Sequence, residues 1–306
     1  MLWFFLAILA YLFFAISAFI DRLLMKGSLK SPFAFAFYAG ILNSIPILLF
    51  FLNPVFNFFQ PISFSTLILG ALTGFLTVWT MLPWAVLVLK EEISKATPIV
   101  GSLQPIFIVV ISLLFFFKQA IPSLHEISAF FLFLLGSLII IQEPGKQIFS
   151  KRPRFLFLLS SFYFALTLVM LKALLLLTNF WTAIFLLGMG SVIGTGTLLF
   201  LPETRSDLAQ KGFPIQKNIF FPFLIGRAAG TVGSIFITVA ILFATITQVP
   251  LISALTGVQF VFLYLLLFLF IKKFPEMEEK LSGRILFLKL GGVLMMILGF
   301  VVLALK

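Results

Sequence analysis

The sequence predicts an all-α polytopic membrane protein of about ten transmembrane helices, arranged as two inverted five-helix repeats. Three observations predict it. The first is composition: 62% of the 306 residues are hydrophobic, only 10% are charged, and the mean hydropathy is +1.22. A soluble domain carries roughly 45–50% apolar and about 25% charged residues, and must still cover its surface with polar atoms, so the excess has to face lipid. The second is run length. The apolar residues come in unbroken stretches of around twenty, which span about 30 Å at 1.5 Å per residue. Lipid admits only helices or closed barrels, because every backbone N–H and C=O must be satisfied internally, and barrel strands would alternate apolar with polar over about ten residues. The third is that the two halves of the chain share landmarks at matching spacings.

Runs bounded by Pro, Gly, Asn and charge place the spans at 2–20, 32–52, 64–89, 96–117, 124–142, 155–178, 180–201, 219–245, 249–271 and 285–305. The first has no basic leader and no small-residue cleavage site, so it reads as a span and not as a removable signal peptide. Gly70-x-x-x-Gly74 in the third and Gly226-x-x-x-Gly230 in the eighth read as close-packing motifs first and dimerisation motifs second. Pro98 and Pro105 in the fourth span and Pro250 in the ninth delete backbone bonds, and are expected to bend or interrupt their helices. The seventh span, rich in Gly and Thr, is the weakest as a run. Thr245 to Pro250 leaves room only for a tight turn between the eighth and ninth. Most of the 43 phenylalanines read as lipid-facing filler.

The formal charge of +11 does not point to nucleic acid, because the basic residues sit between apolar runs. That placement serves orientation and anionic headgroups. Odd-numbered connections carry most of them, from Arg22, Lys26 and Lys30 through Lys151-Arg152-Pro153-Arg154 to Lys272, Lys273, Lys280 and Arg284. The other side offers Lys118, Lys306 and, by snorkelling, Lys172. The expected topology has cytoplasmic odd loops and both termini outside, in a cell (plasma or inner) membrane. The absence of cysteine excludes disulfides, thiol catalysis and zinc–thiolate sites.

Ala96-Thr97-Pro98 opens the fourth span and Val249-Pro250 the ninth; Leu103 and Leu255 follow five residues after each proline, and Lys118 and Lys272 close the spans. Gly74 and Gly226 each lie 24 residues upstream of their proline, and Leu135-Gly136 in the fifth span is matched by Leu298-Gly299 in the tenth. The division that follows is a repeat over 1–145, a basic cytoplasmic linker over 146–154 and a second repeat over 155–306. Five spans is an odd number, so the halves insert in opposite orientations, an arrangement that places a site near the midplane between them.

With Ala96-Thr-Pro-Ile, Leu103-Gln-Pro-Ile-Phe107, Leu135-Gly136, Val249-Pro-Leu-Ile-Ser-Ala-Leu255, Leu298-Gly299 and Asp21-Arg22-Leu-Leu, the chain resembles the drug/metabolite transporter superfamily, in particular its EamA-like ten-helix members. The resemblance covers nearly the whole chain in two halves, through diffuse features and no catalytic signature. It implies export or exchange of small metabolites. Many such proteins carry a glutamate at the end of the fourth span where this chain has Lys118, so no coupling residue carries over to that position.

Charge inside a span is the most informative signal, since each such residue costs at least a few kcal/mol at the bilayer centre. Arg227 stands within the eighth span among Gly226, Ala228, Ala229 and Gly230. It reads either as a substrate ligand, its fork suited to a carboxylate or phosphate, or as an arginine snorkelling to the cytoplasmic face. Lys172 has the same two readings, with snorkelling favoured. Asp21 ends the first span and is expected to pair with Arg22 or Lys26. No Asp or Glu falls well inside a span, which disfavours proton-coupled export of cations and leans the substrate towards neutral or anionic. Gln104 and Gln259 sit at similar depths in the repeat-related fourth and ninth spans, and a buried amide is costly unless bonded. They serve either a ligand or helix–helix hydrogen bonds. With Asn43, Trp79 and Tyr163, these residues form the candidate site: Arg227, Gln104, Gln259, Trp79, Tyr163, Asn43 and Lys172.

The leading expectation is a secondary transporter of a small organic metabolite working by alternating access, as a monomer or homodimer among membrane lipids. No G-x-x-x-x-G-K-[ST] occurs for ATP. The single histidine, His125, lies at a span edge, and neither H-E-x-x-H nor G-x-S-x-G is present, so no enzyme, metal or cofactor is expected. The alternative is a lipid-handling flippase or scaffold, or a channel-like protein without a soluble substrate.

Overall fold

The structure, a computed structural model, describes residues 2–26, 31–91, 93–116, 122–141, 154–211, 217–270, 291–292, 294–299 and 301–302. Every regular element among them is helical. The chain runs through α1 (Leu2–Lys26), α2 (Pro32–Asn43), α3 (Leu49–Phe56), α4 (Phe64–Lys90), α5 (Ile93–Phe116) and α6 (Leu124–Ile141). It continues through α7 (Arg154–Leu177), α8 (Phe180–Leu198), α9 (Pro202–Lys211), α10 (Lys217–Phe243), α11 (Val249–Ala254) and α12 (Thr256–Phe270). Eight helical segments among the described residues are long and apolar enough to cross a membrane, which fits a multi-pass membrane protein; a shorter apolar stretch is Leu124–Gly136. Lys118, residues 146–153 of the expected linker and most of the expected tenth span lie outside the described residues.

Local chemistry sets the helix ends. Ser31, Ser63 and Asn179 stand in extended backbone and accept from the N–H of Ala34, Thr66 and Thr182, at 3.1, 3.2 and 2.8 Å, capping α2, α4 and α8. The second span breaks at a 3-10 turn, Ile45–Leu48, where Pro46 supplies no N–H, and resumes as α3. The tight turn after α10 is a 3-10 turn, Ile246–Gln248, held by a reciprocal Thr245–Gln248 capping box. Pro250 falls in the first turn of α11, where a missing N–H costs nothing. Of the expected bend or interruption at Pro98 and Pro105, the interruption does not occur: α5 is one continuous helix through both, as α4 and α10 are through Pro83 and Pro222. Packed neighbours allow a membrane helix to continue through a proline. A polar helix, α9, stands where the run pattern places only a connection.

Packing sorts the helices into two groups. α1 lies along α10 and α12; α7 lies along α4 and α5, and α8 and α2 join α4. α5 crosses α11 and α12 between the groups. The glycine motifs work as close-packing surfaces. A Cβ on Gly74 would stand 2.1 Å from the Leu187 carbonyl oxygen and 2.9 Å from the Gly190 Cα, so α4 and α8 touch backbone to backbone. Each group is also tied internally by a side chain on a neighbour's backbone: Tyr11 donates to the Ile252 carbonyl at 2.7 Å, and Ser161 to the Val100 carbonyl at 3.2 Å. Phe51, Phe64, Phe155, Phe200 and Phe268 are exposed on outward faces as expected, but Phe35, Phe133, Phe157 and Phe260 are fully buried and belong to the core.

Candidate functional site

Between the two groups lies a cavity of about 290 Å³, close to the lower end of the range of small-molecule pockets. One stripe of α1 faces it, Tyr11, Phe14, Ser17, Ala18 and Asp21, spaced by three and four residues as a single helical face requires. α7 contributes Phe164, Thr167, Leu168 and Leu171; α4 contributes Thr73, Thr77, Met81 and Trp84; α10 contributes Arg227, Gly230, Thr231, Ser234, Ile237 and Thr238. Thr97, Val100, Gly101 and Gln104 of α5, Thr256 and Gln259 of α12, Asn43 and Leu187 complete the wall.

Many of the hydroxyls are already engaged as donors. Thr73, Thr77, Thr167, Ser234 and Thr238 each give their proton to the carbonyl four residues back, at 2.6–2.9 Å. Such a hydroxyl keeps its lone pairs for a ligand and has no proton to offer. The wall is therefore rich in acceptors and methyl groups. Its donors include the amides of Asn43, Gln104 and Gln259 and the hydroxyls of Ser17, Thr97 and Thr231, while the guanidinium of Arg227 and the indole of Trp84 are both turned to Asp21.

The charges are concentrated at one place. Arg227 Nη2 donates to Asp21 Oδ1 and, at 3.1 Å, to Ser17 Oγ. Its guanidinium lies over Phe35, 5.0 Å from the ring centroid, with Phe223 at 6.0 Å. Nε of Arg227 is buried without a hydrogen-bond partner among the described residues. Small residues bring the helices close enough for a short aspartate to reach. A Cβ on Gly226 would stand 2.9 Å from Ile20 Cγ2, and one on Gly230 3.1 Å from Ser17 Oγ.

This pair corrects two expectations. Asp21 pairs with Arg227 of α10, where Arg22 or Lys26 was expected; the side chain of Lys26 lies outside the described residues. It also lies inside α1, because the helix continues to Lys26 beyond the apolar run that ends at Ile20. A carboxylate therefore does stand within a span, and the cavity is not cationic: it holds one charge of each sign.

Of the other candidates, Gln104, Gln259 and Asn43 face the cavity with Arg227. Three do not line it. Lys172 is buried, with Nζ donating to the carbonyls of Ile241 and Ala244 at 3.0 and 2.6 Å, so it caps the C-terminal end of α10 instead of snorkelling. Trp79 donates its indole N–H to Thr197 Oγ1 at 3.0 Å and stacks on Phe75, joining α4 to α8. Tyr163 is half-buried beside Phe162, away from the cavity. Arg22 mirrors Lys172: its Nη1 donates to the carbonyl of Val88 and, at 2.7 Å, to that of Glu91, at the C-terminal end of α4.

A second, apolar cavity of about 190 Å³ lies between α5, α6 and α11. Its one carboxylate, Glu126, accepts from the Ser123 N–H at 2.8 Å and from Thr247 Oγ1 at 3.0 Å, and so caps α6. Among the described residues no three His, Asp or Glu side chains converge as metal ligands would.

No family model matches the chain, and no curated protein matches it. A solved crystal structure of a protein superposes on it with a TM-score of 0.63 at 17% identity, covering 98% of this chain and 96% of that one. At that identity the likeness speaks for the fold alone, and it extends over the whole helical bundle.

Proposed function

We propose that this chain is a secondary transporter of ten membrane spans in two inverted five-helix repeats, moving a small organic solute of zero net charge by alternating access. The observation that carries the proposal is the cavity: it lies between two packing groups and presents a buried Asp21 paired with a part-buried Arg227 within an acceptor-rich wall. A solute with both charges, or neither, meets that pair without leaving a bare charge in low dielectric. A net anion would have to displace Asp21 from Arg227, and a net cation would have to displace Arg227 from Asp21. Solutes bearing N–H or O–H groups fit the free lone pairs of the wall.

The repeat is supported by reciprocal contacts. Tyr11 and Ser161 stand 150 residues apart, and the carbonyls they hold, Val100 and Ile252, stand 152 apart. Arg22 and Lys172 are also 150 apart, while their acceptors Val88 and Glu91 precede Ile241 and Ala244 by 153. The cavity stripe of α7, Phe164, Thr167, Leu168 and Leu171, falls 150 residues after Phe14, Ser17, Ala18 and Asp21 of α1. Two halves related by exchange produce such matches. In that arrangement the site sits near the midplane, as in secondary transporters built on inverted repeats.

The test is ligand-dependent thermal stabilisation of the purified protein across amphoteric solutes, sugars, phosphorylated metabolites and cationic drugs, with counterflow in proteoliposomes for any hit. Binding raises apparent stability by RT ln(1 + [L]/Kd). A shift with a solute of zero net charge, followed by its counterflow, is the expected result. A shift confined to cationic drugs overturns the charge argument; no shift with any soluble compound moves the protein to the lipid-handling alternative.

A further inference from the structure

Arg22 and Lys172 take no part in the cavity wall, yet each is a buried cation at one end of it. Arg22 follows Asp21, the last cavity residue of α1; Lys172 follows Leu171, the last cavity residue of α7. Each reaches across the boundary between packing groups. Arg22 joins α1 to the C-terminal carbonyls of α4, and Lys172 joins α7 to those of α10. α1 otherwise meets α4 only briefly, as α7 meets α10, whereas α1 packs extensively on α10 and α7 on α4. The two cation ties thus join helix pairs that otherwise meet only briefly, at opposite ends of the cavity.

From this geometry we infer that Arg22 and Lys172 are paired latches, each closing one end of the cavity, and that transport releases them one at a time. The inference rests on the alternating-access reading. The last carbonyls of a helix have no partner within it and carry partial negative charge. A buried ammonium or guanidinium satisfies them, and they satisfy it, only while that end is dry. When the groups part and water enters, both sides are hydrated, so a latch opens with its end of the cavity and needs no further trigger. Simultaneous release is opposed by the crossing of α5 with α12. A Cβ on Gly101 would stand 2.6 Å from Thr256 Cγ2 and 2.8 Å from Phe260 Cζ, which makes this crossing a tight pivot between the two ends. Rocking about such a point opens one end as it compresses the other.

The chain has no cysteine, so one introduced thiol reports access to the cavity. We would place Thr77→Cys in the cavity wall and measure its labelling by a membrane-impermeant reagent from each side of sealed vesicles, with Gln60→Cys and Ser206→Cys fixing the sides. Losing a charge-assisted hydrogen-bond pair shifts the conformational balance by about tenfold or more. Arg22→Met is expected to raise the labelling rate from one side and lower it from the other; Lys172→Met is expected to do the reverse. Should either variant fail to fold, Arg22→Lys and Lys172→Gln, which keep a donor, are expected to give the same directions at smaller size. Rates unchanged from wild type, or a rise from the same side in both variants, would overturn the latches. Opposite shifts without flux of any solute in wild type would leave the latches standing and overturn the transport reading instead. Flux with no side-dependent shift would do the opposite.

Discussion

At the scale of single residues, the Asp21–Arg227 pair has the most consequence. A buried pair is weak evidence for stability, but removing one partner leaves an uncompensated charge and costs about 3–5 kcal/mol. Asp21→Asn and Arg227→Met are therefore each expected to lower the apparent melting temperature in detergent, and Asp21→Leu/Arg227→Met to recover most of the loss. If the double variant is as unstable as the two single losses added together, the pair is not coupled as the geometry requires. The recovered double variant should also fold without responding to the solute that stabilises wild type. Arg227 was legible in the sequence as an intramembrane charge, but its partner was not. The apolar run stops at Ile20, and only the helix itself, continuing to Lys26, shows Asp21 to be inside. The position of Lys172 was not legible for a related reason. Its nearest acceptors in space are carbonyls about 70 residues away in the chain, on α10, which no local pattern can reveal.

At the scale of elements, the contacts that set helix spacing are glycines, and their effects should differ sharply by position. Gly74→Leu has no room, with the Leu187 carbonyl oxygen 2.1 Å from where a Cβ would sit, and is expected to force α4 from α8. Overpacking costs typically about 1–3 kcal/mol and occasionally more; here backbone stands in the way and cannot rotate aside. Gly196→Ala in α8 meets nothing within 4 Å and is expected to stabilise by about 0.5–1 kcal/mol through helix propensity alone. Thermal unfolding of the two variants side by side decides the matter: equal effects would mean the α4–α8 contact is looser than it stands. The Gly70 and Gly226 motifs were legible as close-packing surfaces because small-residue spacing along one helical face has no other common use in lipid. The prolines were less legible. Pro250 marks a break and Pro98 and Pro105 do not, because in a packed bundle the neighbours, not the proline alone, decide whether the helix continues.

At the scale of the whole molecule, run length and composition made the helical membrane fold legible. Those signals do not say how spans pack, so the exchange of α1 and α7 between the halves was invisible until the packing was seen. The proposed inverted arrangement makes a prediction that a parallel duplication does not share. Gln60 precedes α4 and Ser206 lies on α9 before α10, so under the proposed repeat the two occupy equivalent connections, and both are exposed. Equivalent connections in parallel repeats face the same side of the membrane; in inverted repeats they face opposite sides. Starting from the cysteine-free chain, Gln60→Cys is expected to react with an impermeant thiol reagent added outside intact cells, and Ser206→Cys only after the membrane is opened. The basic residues of the odd connections supply the sign of this prediction, since such residues are as a rule retained on the cytoplasmic face. Labelling of both positions from one side would refute the inversion. It would also remove the symmetry argument for the proposed latches, since the proposed repeat is what makes Arg22 and Lys172 equivalent.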